Sequence, residues 1–93
     1  MIDEIGDEPR RAVLARIIRL VTEYIGVDAR TVAMHEDTKL FGRGIGLDSV
    51  DVLTLVGAVE EEFDLTIDDR EVAGGRIQTL GALVDMVERR RRR

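Results

Sequence analysis

The most informative part of the chain is GIGLDSVDVLTLVGAVEEEFDLTIDD, which covers residues 44–69. A glycine-rich segment gives way here to an apolar run with helical spacing, and the change falls at Asp48 and Ser49. Asp48 can accept backbone N–H bonds as an N-cap, and Asp51 stands three residues later, in the position of a capping-box acid. The pattern predicts a helix that begins after Asp48 and leaves the Ser49 hydroxyl free at its first position.

This predicted helix has two apolar stripes. At about 100° per residue, a core face is formed by Val52, Leu55, Val56, Val59 and Phe63. Val50, Leu53 and Gly57 lie on a different face, beside Glu61. The second stripe begins one residue after Ser49 and predicts a short apolar surface next to it.

Three further helices are indicated by the rest of the chain. An amphipathic helix precedes the glycine-rich segment. Pro9 is suited to its first position, and Gly26 is suited to the left-handed residue past its end. Its apolar face is made of Val13, Leu14, Ile17, Ile18, Val21, Tyr24 and Ile25. A weak helical signal covers 68–73, and Thr79 caps a last helix whose apolar side is Leu80, Leu83, Val84 and Val87.

Between the first two main helices lies a long segment, 27–47, without periodicity. Its scattered apolar residues are expected to pin it across the helices: Val32, Met34, Leu40, Phe41, Ile45 and Leu47. A loop of about 20 residues in a small domain is more often functional than idle. We therefore expect an all-α four-helix bundle, with three main helices, one short helix and a long loop between the first and second helices.

Composition and charge narrow the possible functions. The 93 residues predict one domain, and the absence of cysteine excludes disulfides and thiolate zinc sites. The net charge is −5 although the last five residues are all arginine, so the rest of the chain is twice as negative. Such a field repels nucleic acid and attracts basic protein surfaces. Residues 88–93 are expected to form a frayed or disordered arginine-rich tail.

No catalytic or metal-binding residue is expected. A serine nucleophile needs a base, yet the single histidine is His35 in the loop, and Ser49 is not in a G-x-S-x-G elbow. An EF-hand reading of the acidic run fails, because its turn glycine would be Asp69 and its last acid Gly75. Ser49 instead suits a phosphate-linked group, since a helix N-terminus favours an anion.

The segment GLDSVDVLTLVGAVEEEFDLTIDD resembles the signature of acyl carrier proteins, in which an Asp-Ser pair opens the second helix and the serine receives a 4′-phosphopantetheine arm from coenzyme A. The long loop and the final TLGALVDMV helix fit as well, so the resemblance covers nearly the whole chain. It implies that Ser49 is the modified residue and that Asp48 and Asp51 guide the transferase. The surface read by partner enzymes would comprise Val50, Leu53, Glu60 and Glu61.

Two positions depart from the family's common pattern. Thr54 stands where another acid is common, and Gly57 stands where a bulky apolar residue is common on the recognition stripe. Both changes weaken a generic docking surface and favour a restricted set of partners. The loop sequence LFGRGIGLDSV resembles that of carriers in specialised pathways rather than in housekeeping fatty acid synthesis.

The resemblance implies a non-catalytic carrier of acyl groups as thioesters, serving fatty acid, polyketide or related specialised biosynthesis. Its partners would be a phosphopantetheinyl transferase and acyl-loading, elongating and acyl-transfer enzymes with basic docking surfaces. We expect a cytoplasmic monomer without a membrane span. Two alternatives remain open: a peptidyl or aminoacyl carrier protein of a nonribosomal or hybrid pathway, and an unmodified helical module that recruits basic partners.

Overall fold

The computed structural model describes residues 8–26, 33–42 and 44–91, and this part of the chain is helical and without strands. The elements are α1 (Arg10–Leu20) with a π-helical turn (Val21–Ile25), α2 (Ser49–Phe63), α3 (Asp69–Ala73) and α4 (Leu80–Arg91). The predicted all-α architecture of three longer helices and one short helix is confirmed. No helix in these ranges is both long and apolar enough to cross a membrane.

The start of α1 differs by one residue from the prediction. Pro9 is the N-cap, with an extended ψ of 152°, and Arg10 is the first helical residue. The carbonyl of Pro9 accepts hydrogen bonds from the amides of Ala12 and Val13, at 2.9 and 3.1 Å. The prediction that Pro9 is the first helical residue was therefore wrong, because its extended ψ places it outside the helix.

The end of α1 carries a wider turn than the periodicity indicated. Gly26 adopts the predicted left-handed conformation, with φ 86°, and its amide reaches back to Val21. The π-helical turn before Gly26 changes the angular spacing of the side chains. Tyr24, predicted on the apolar face, is consequently 55% exposed, whereas Leu20, which was not predicted there, is buried.

The core forms where α1, α2 and α4 face one another. All five residues predicted on the core face of α2 are buried, as are the four predicted on α4. Ala58, Gly81 and Met86 are buried in addition. Because each buried branched aliphatic side chain contributes about 1.5–3 kcal/mol, this aliphatic cluster dominates the stability of the fold.

The long loop is joined to the start of α4 through its backbone. The amide of Leu40 donates to the Gln78 carbonyl at 2.8 Å, and the amides of Leu80 and Gly81 donate to the carbonyls of Thr38 and Glu36. An isolated antiparallel bridge links Lys39 to Thr79, and the Thr79 hydroxyl caps α4 as predicted by accepting from the Ala82 amide at 3.1 Å.

The apolar residues of the loop contribute unequally to this attachment. Leu40 and Leu47 are buried, and Met34 and Ile45 pack partly against the core, as expected of anchors. Phe41 is 41% exposed and is not an anchor, and Val32 lies outside the described residues.

Three arginines of α1 form ion pairs with neighbouring segments, namely Arg10, Arg16 and Arg19. Arg10 contacts Glu36 of the loop at 2.8 Å, as well as Asp85 at 2.7 Å and Glu88 at 2.8 Å in α4. Hydrogen bonding to Glu36 raises the pKa of Arg10, and the same bond lowers the pKa of Glu36. These contacts fasten α1 to the loop and to α4.

Arg16 makes a second cluster at the end of α2. Its guanidinium stacks 4.2 Å from the centre of the Phe63 ring and pairs with Glu62 at 2.9 Å and Glu8 at 2.6 Å. Burial raises the pKa of Glu62, but hydrogen bonds from Arg16 and Arg19 outweigh this effect and lower the pKa overall. The cluster joins α1 to the end of α2.

The arginine run is partly ordered, contrary to the expectation for residues 88–93. α4 continues through Arg91, and the side chains of both Arg90 and Arg91 contact other segments. Arg91 pairs with Glu8 at 3.1 Å and lies 5.5 Å from the Phe63 ring centre. Residues 92 and 93 lie outside the described residues.

Candidate functional site

A capping box fixes the start of α2. The Asp48 carboxylate accepts a hydrogen bond from the Asp51 amide at 2.8 Å, and the Asp51 carboxylate accepts one from the Asp48 amide at 3.2 Å. The predicted N-cap and its reciprocal acid are both confirmed. Because the box satisfies these amides locally, it holds the first turn of α2 in place.

Ser49 is the first residue of α2, is exposed, and is the only serine in the chain. Within residues 8–26, 33–42 and 44–91, its hydroxyl makes no hydrogen bond, and the amides of Ser49 and Val50 have no partner. A hydroxyl beside two open N–H groups at the positive end of a 15-residue helix suits a phosphate ester.

A tight loop presents this serine. The Leu47 amide donates to the Leu40 carbonyl at 2.7 Å, and the Ile45 amide donates to the Lys39 carbonyl at 2.8 Å. Gly44 is required by this close approach, since a Cβ there would lie 1.8 Å from the Lys39 oxygen. Leu47 is buried two residues before Ser49, so the chain leaves the core just before the serine and exposes it.

A groove of about 550 Å³ opens beside Ser49. Its apolar lining comes from three parts of the chain and comprises Phe41, Val52, Leu53, Val72, Ala73 and Ile77. Asp69 and Gln78 add polar groups. Sequence reasoning missed this groove, since neither Phe41 nor the α3 residues gave a local signal for it.

The residues predicted to contact partners differ in their exposure and in their position along α2. Val50 and Leu53 are 69% and 58% exposed, although both are apolar. Asp48 and Glu61 are also exposed, whereas Glu60 is half-buried. The Glu60 carboxylate accepts a hydrogen bond from the Ile67 amide at 2.8 Å, so it fastens the turn that follows α2.

The other sequence candidates lie apart from this arrangement. His35 is exposed in the loop, where its backbone amide donates to the Thr38 hydroxyl at 2.9 Å, and it does not line the groove. No group of three or more acidic or histidine side chains within the described ranges is arranged to hold a metal ion. The chemical features at the site are therefore one hydroxyl, two open amides and a mostly apolar groove.

Comparison with known proteins agrees with this arrangement. The family model described as "Phosphopantetheine attachment site" matches residues 15–87. The chain is 35% identical over 74 residues to an acyl carrier protein of Trieres chinensis, covering 80% of this chain and 86% of that protein. It is also 35% identical over 74 residues to an acyl carrier protein of Phaeodactylum tricornutum, covering 80% of this chain and 91% of that one.

These matches cover most of the chain and include the whole of α2 with the hydroxyl at its start. They identify 4′-phosphopantetheine as the expected prosthetic group and a carrier, rather than a catalyst, as the kind of protein. The chain belongs to the acyl carrier protein family.

Proposed function

We propose that Ser49 carries 4′-phosphopantetheine and that the protein shuttles acyl groups between enzymes of fatty acid, polyketide or related specialised biosynthesis. The observation that supports this most directly is the Ser49 hydroxyl, exposed at the start of α2 between two open amides and the groove. When bound, the arm supplies a terminal thiol that holds carboxylic acids as thioesters.

Attachment uses the serine hydroxyl and a donor that brings its own leaving group. The Ser49 Oγ forms a phosphodiester with the arm's phosphate as the pyrophosphate bond of coenzyme A breaks. Adenosine 3′,5′-bisphosphate leaves, and the hydroxyl proton is lost. The amides of Ser49 and Val50 would face the new phosphodiester charge, which the positive end of the α2 dipole stabilises.

The groove beside Ser49 supports an acyl cargo. Its walls are mainly aliphatic and aromatic, so they favour a hydrocarbon chain over a strongly polar group. Val52 and Ile77, which line the groove, are also buried residues of the core, so the groove reaches the edge of the core. We therefore propose that cargo rests in the groove.

The surface around Ser49 supports transient docking of basic partners. Val50 and Leu53 form a small exposed apolar surface on α2, Asp48 caps this helix, and Asp51 and Glu61 lie on it. Acids increase the rate of encounter with basic enzymes, while a small apolar contact keeps each complex short-lived. The proposed partners are a phosphopantetheinyl transferase and enzymes that load, elongate or transfer acyl groups. The carrier itself would act as a monomer.

The proposed compartment is the cytoplasm, where a reducing environment keeps the thiol of the arm available. The cysteine-free chain is compatible with such an environment. Fractionation of cells, with the protein detected by antibody, tests this assignment, and recovery from an organelle fraction would contradict it.

Incubation with a phosphopantetheinyl transferase and coenzyme A tests the attachment. Intact-mass spectrometry should show the gain of one phosphopantetheinyl group on the wild-type protein and on Thr54→Ala, but not on Ser49→Ala. Thr54 is the matched control because it is an exposed hydroxyl residue of α2, and its hydroxyl bonds to the Val50 carbonyl at 3.0 Å. No gain on wild type would favour the unmodified interaction module.

The cargo is tested separately, on protein isolated from its native cells. Mass spectrometry of the thioester should reveal an acyl group without an α-amine. An amino acid or peptide on the arm would instead show a carrier of a nonribosomal or hybrid pathway.

A further inference from the structure

α3 is the least buried helix of the bundle, yet it forms one wall of the groove. It has five residues and no fully buried side chain, and only Val72 packs partly against the core. Asp69, Val72 and Ala73 nevertheless line the cavity beside Ser49. The position of this short helix therefore sets the width of the groove, although little apolar burial holds it.

The chain holds α3 at its first turn by a local cap. The Asp68 carboxylate accepts a hydrogen bond from the Arg70 amide at 2.9 Å, and this backbone bond lowers the pKa of Asp68. A cap of this kind stabilises the helix itself. It does not attach α3 to any other helix.

The attachment to another helix comes from Arg90 of α4. Its guanidinium pairs with Glu71 of α3 and also donates through Nε to the Thr66 carbonyl at 3.0 Å, in the segment that leads into α3. The two side chains are only 25% and 20% exposed. One planar guanidinium thus bridges α4 to α3 and to the segment that precedes α3. A lysine ammonium on a flexible side chain would not reproduce these two contacts.

Arg89, the adjacent residue, provides a contrast. Its side chain is exposed and makes no hydrogen bond or ion pair within the described ranges. Two arginines of the same run therefore differ in role, since one is solvated and the other holds a helix.

We propose that Arg90 is a positioning residue that latches α3 to α4 and thereby sets the width of the groove beside Ser49. The latch itself does not depend on any modification of the protein. Its effect on cargo rests on the proposed function, because a looser α3 would expose a thioester attached through Ser49 to water.

Hydrogen exchange of the unmodified protein tests the latch. The amide of Gly74 is a suitable reporter, since it donates to the Arg70 carbonyl inside α3 at 2.9 Å. Its exchange, measured by NMR relative to the core amide of Val59, should accelerate about tenfold in Arg90→Gln and in Glu71→Gln. Arg89→Gln removes a positive charge from the adjacent residue and should leave the ratio of the Gly74 to the Val59 exchange rate unchanged. The double variant Glu71→Gln/Arg90→Gln should resemble Arg90→Gln, because loss of the arginine already removes the Glu71 pair together with the Thr66 hydrogen bond.

Several results would overturn the latch. Equal exchange in Arg90→Gln and Arg89→Gln would show that Arg90 does not hold α3. Equal acceleration of Gly74 and Val59 would assign Arg90 to global stability instead. Additive effects in the double variant would show that Glu71 and Arg90 act independently.

A second measurement on loaded protein tests the consequence for cargo. With an octanoyl thioester on the arm, Arg90→Gln should increase the hydrolysis rate by up to about tenfold over Arg89→Gln, following the population of the open form. Unchanged hydrolysis together with faster Gly74 exchange would remove the proposed effect on cargo. Failure of all variants and wild type to accept the arm would refute the proposed function while the exchange result still decides the latch.

Discussion

Substituting Gly57 with alanine should make the protein more stable. Gly57 lies in the middle of α2, and a Cβ added there would meet nothing within 4 Å. Alanine is favoured over glycine inside a helix by about 1 kcal/mol, chiefly because the unfolded glycine has more conformational freedom to lose. With no steric cost to subtract, Gly57→Ala should gain most of that amount, a rise in midpoint of about 4–8 °C for a domain of this size.

Gly81 in α4 provides a matched comparison with the opposite sign. A Cβ there would lie 2.9 Å from the backbone oxygen of Glu36, 3.3 Å from its Cβ and 3.4 Å from its Oε1. The same oxygen accepts the Gly81 amide at 2.9 Å, so relief of the clash would strain the attachment of the loop. Overpacking of this kind costs about 1–3 kcal/mol, which exceeds the gain in helix propensity.

Thermal and urea unfolding of the unmodified protein, followed by far-ultraviolet circular dichroism, measures both changes. We expect Gly57→Ala to be more stable than wild type and Gly81→Ala to be less stable than wild type. If Gly57→Ala were no more stable than wild type, the open space beside Gly57 would not exist in solution. If Gly81→Ala gained as much as Gly57→Ala, the close packing of the loop on α4 would be wrong.

Three further predictions test other parts of the structure. The pKa values of Glu62 and Glu36 are lowered in the folded protein. The charged carboxylates therefore stabilise the fold at any pH above their unfolded pKa of about 4.3. This stabilisation is lost as the pH falls through the lower pKa values of the folded protein. In urea unfolding, the free energy of unfolding should therefore fall less between neutral pH and pH 3 in Glu62→Gln than in wild type. An equal fall in both proteins would contradict the ion pairs of Glu62. Leu53 is exposed, so Leu53→Ala should leave the free energy of unfolding nearly unchanged but slow the reaction of a partner enzyme. Leu55 is fully buried, so Leu55→Ala should lower the free energy of unfolding by about 2–5 kcal/mol. Asp51→Lys should slow attachment of the arm more at low salt than at high salt, because salt screens long-range steering, and equal slowing at every salt concentration would assign Asp51 to capping or direct contact.

The helix boundaries that could be predicted are those whose partners are close in sequence. Asp48 and Asp51 are three residues apart, so their capping box was visible as a pattern and the structure contains both of its hydrogen bonds. Thr79 was identified as a cap for the same reason, and Gly26 marks the end of the first helical segment. In each case the physics is local.

The features that the sequence did not reveal depend on distant residues. Phe41 was expected to be an anchor, but it lines the groove with Val72 and Gln78, more than 30 residues away. Arg90 resembled one of five interchangeable charges until the fold placed Glu71 beside it. Tyr24 was misplaced because a π-helical turn leaves no clear signature in the spacing of apolar residues.

The backbone pairing between the long loop and the start of α4 has a consequence for engineering. Most of the hydrogen bonds that position the loop join main-chain atoms, and the loop side chains that add to them are Glu36 and Thr38. Leu40 and Leu47 must stay apolar and Gly44 must stay small, while an exposed position such as Lys39 can be changed without moving Ser49. The loop can therefore be redesigned to alter which enzymes approach the serine, with the serine kept in its place.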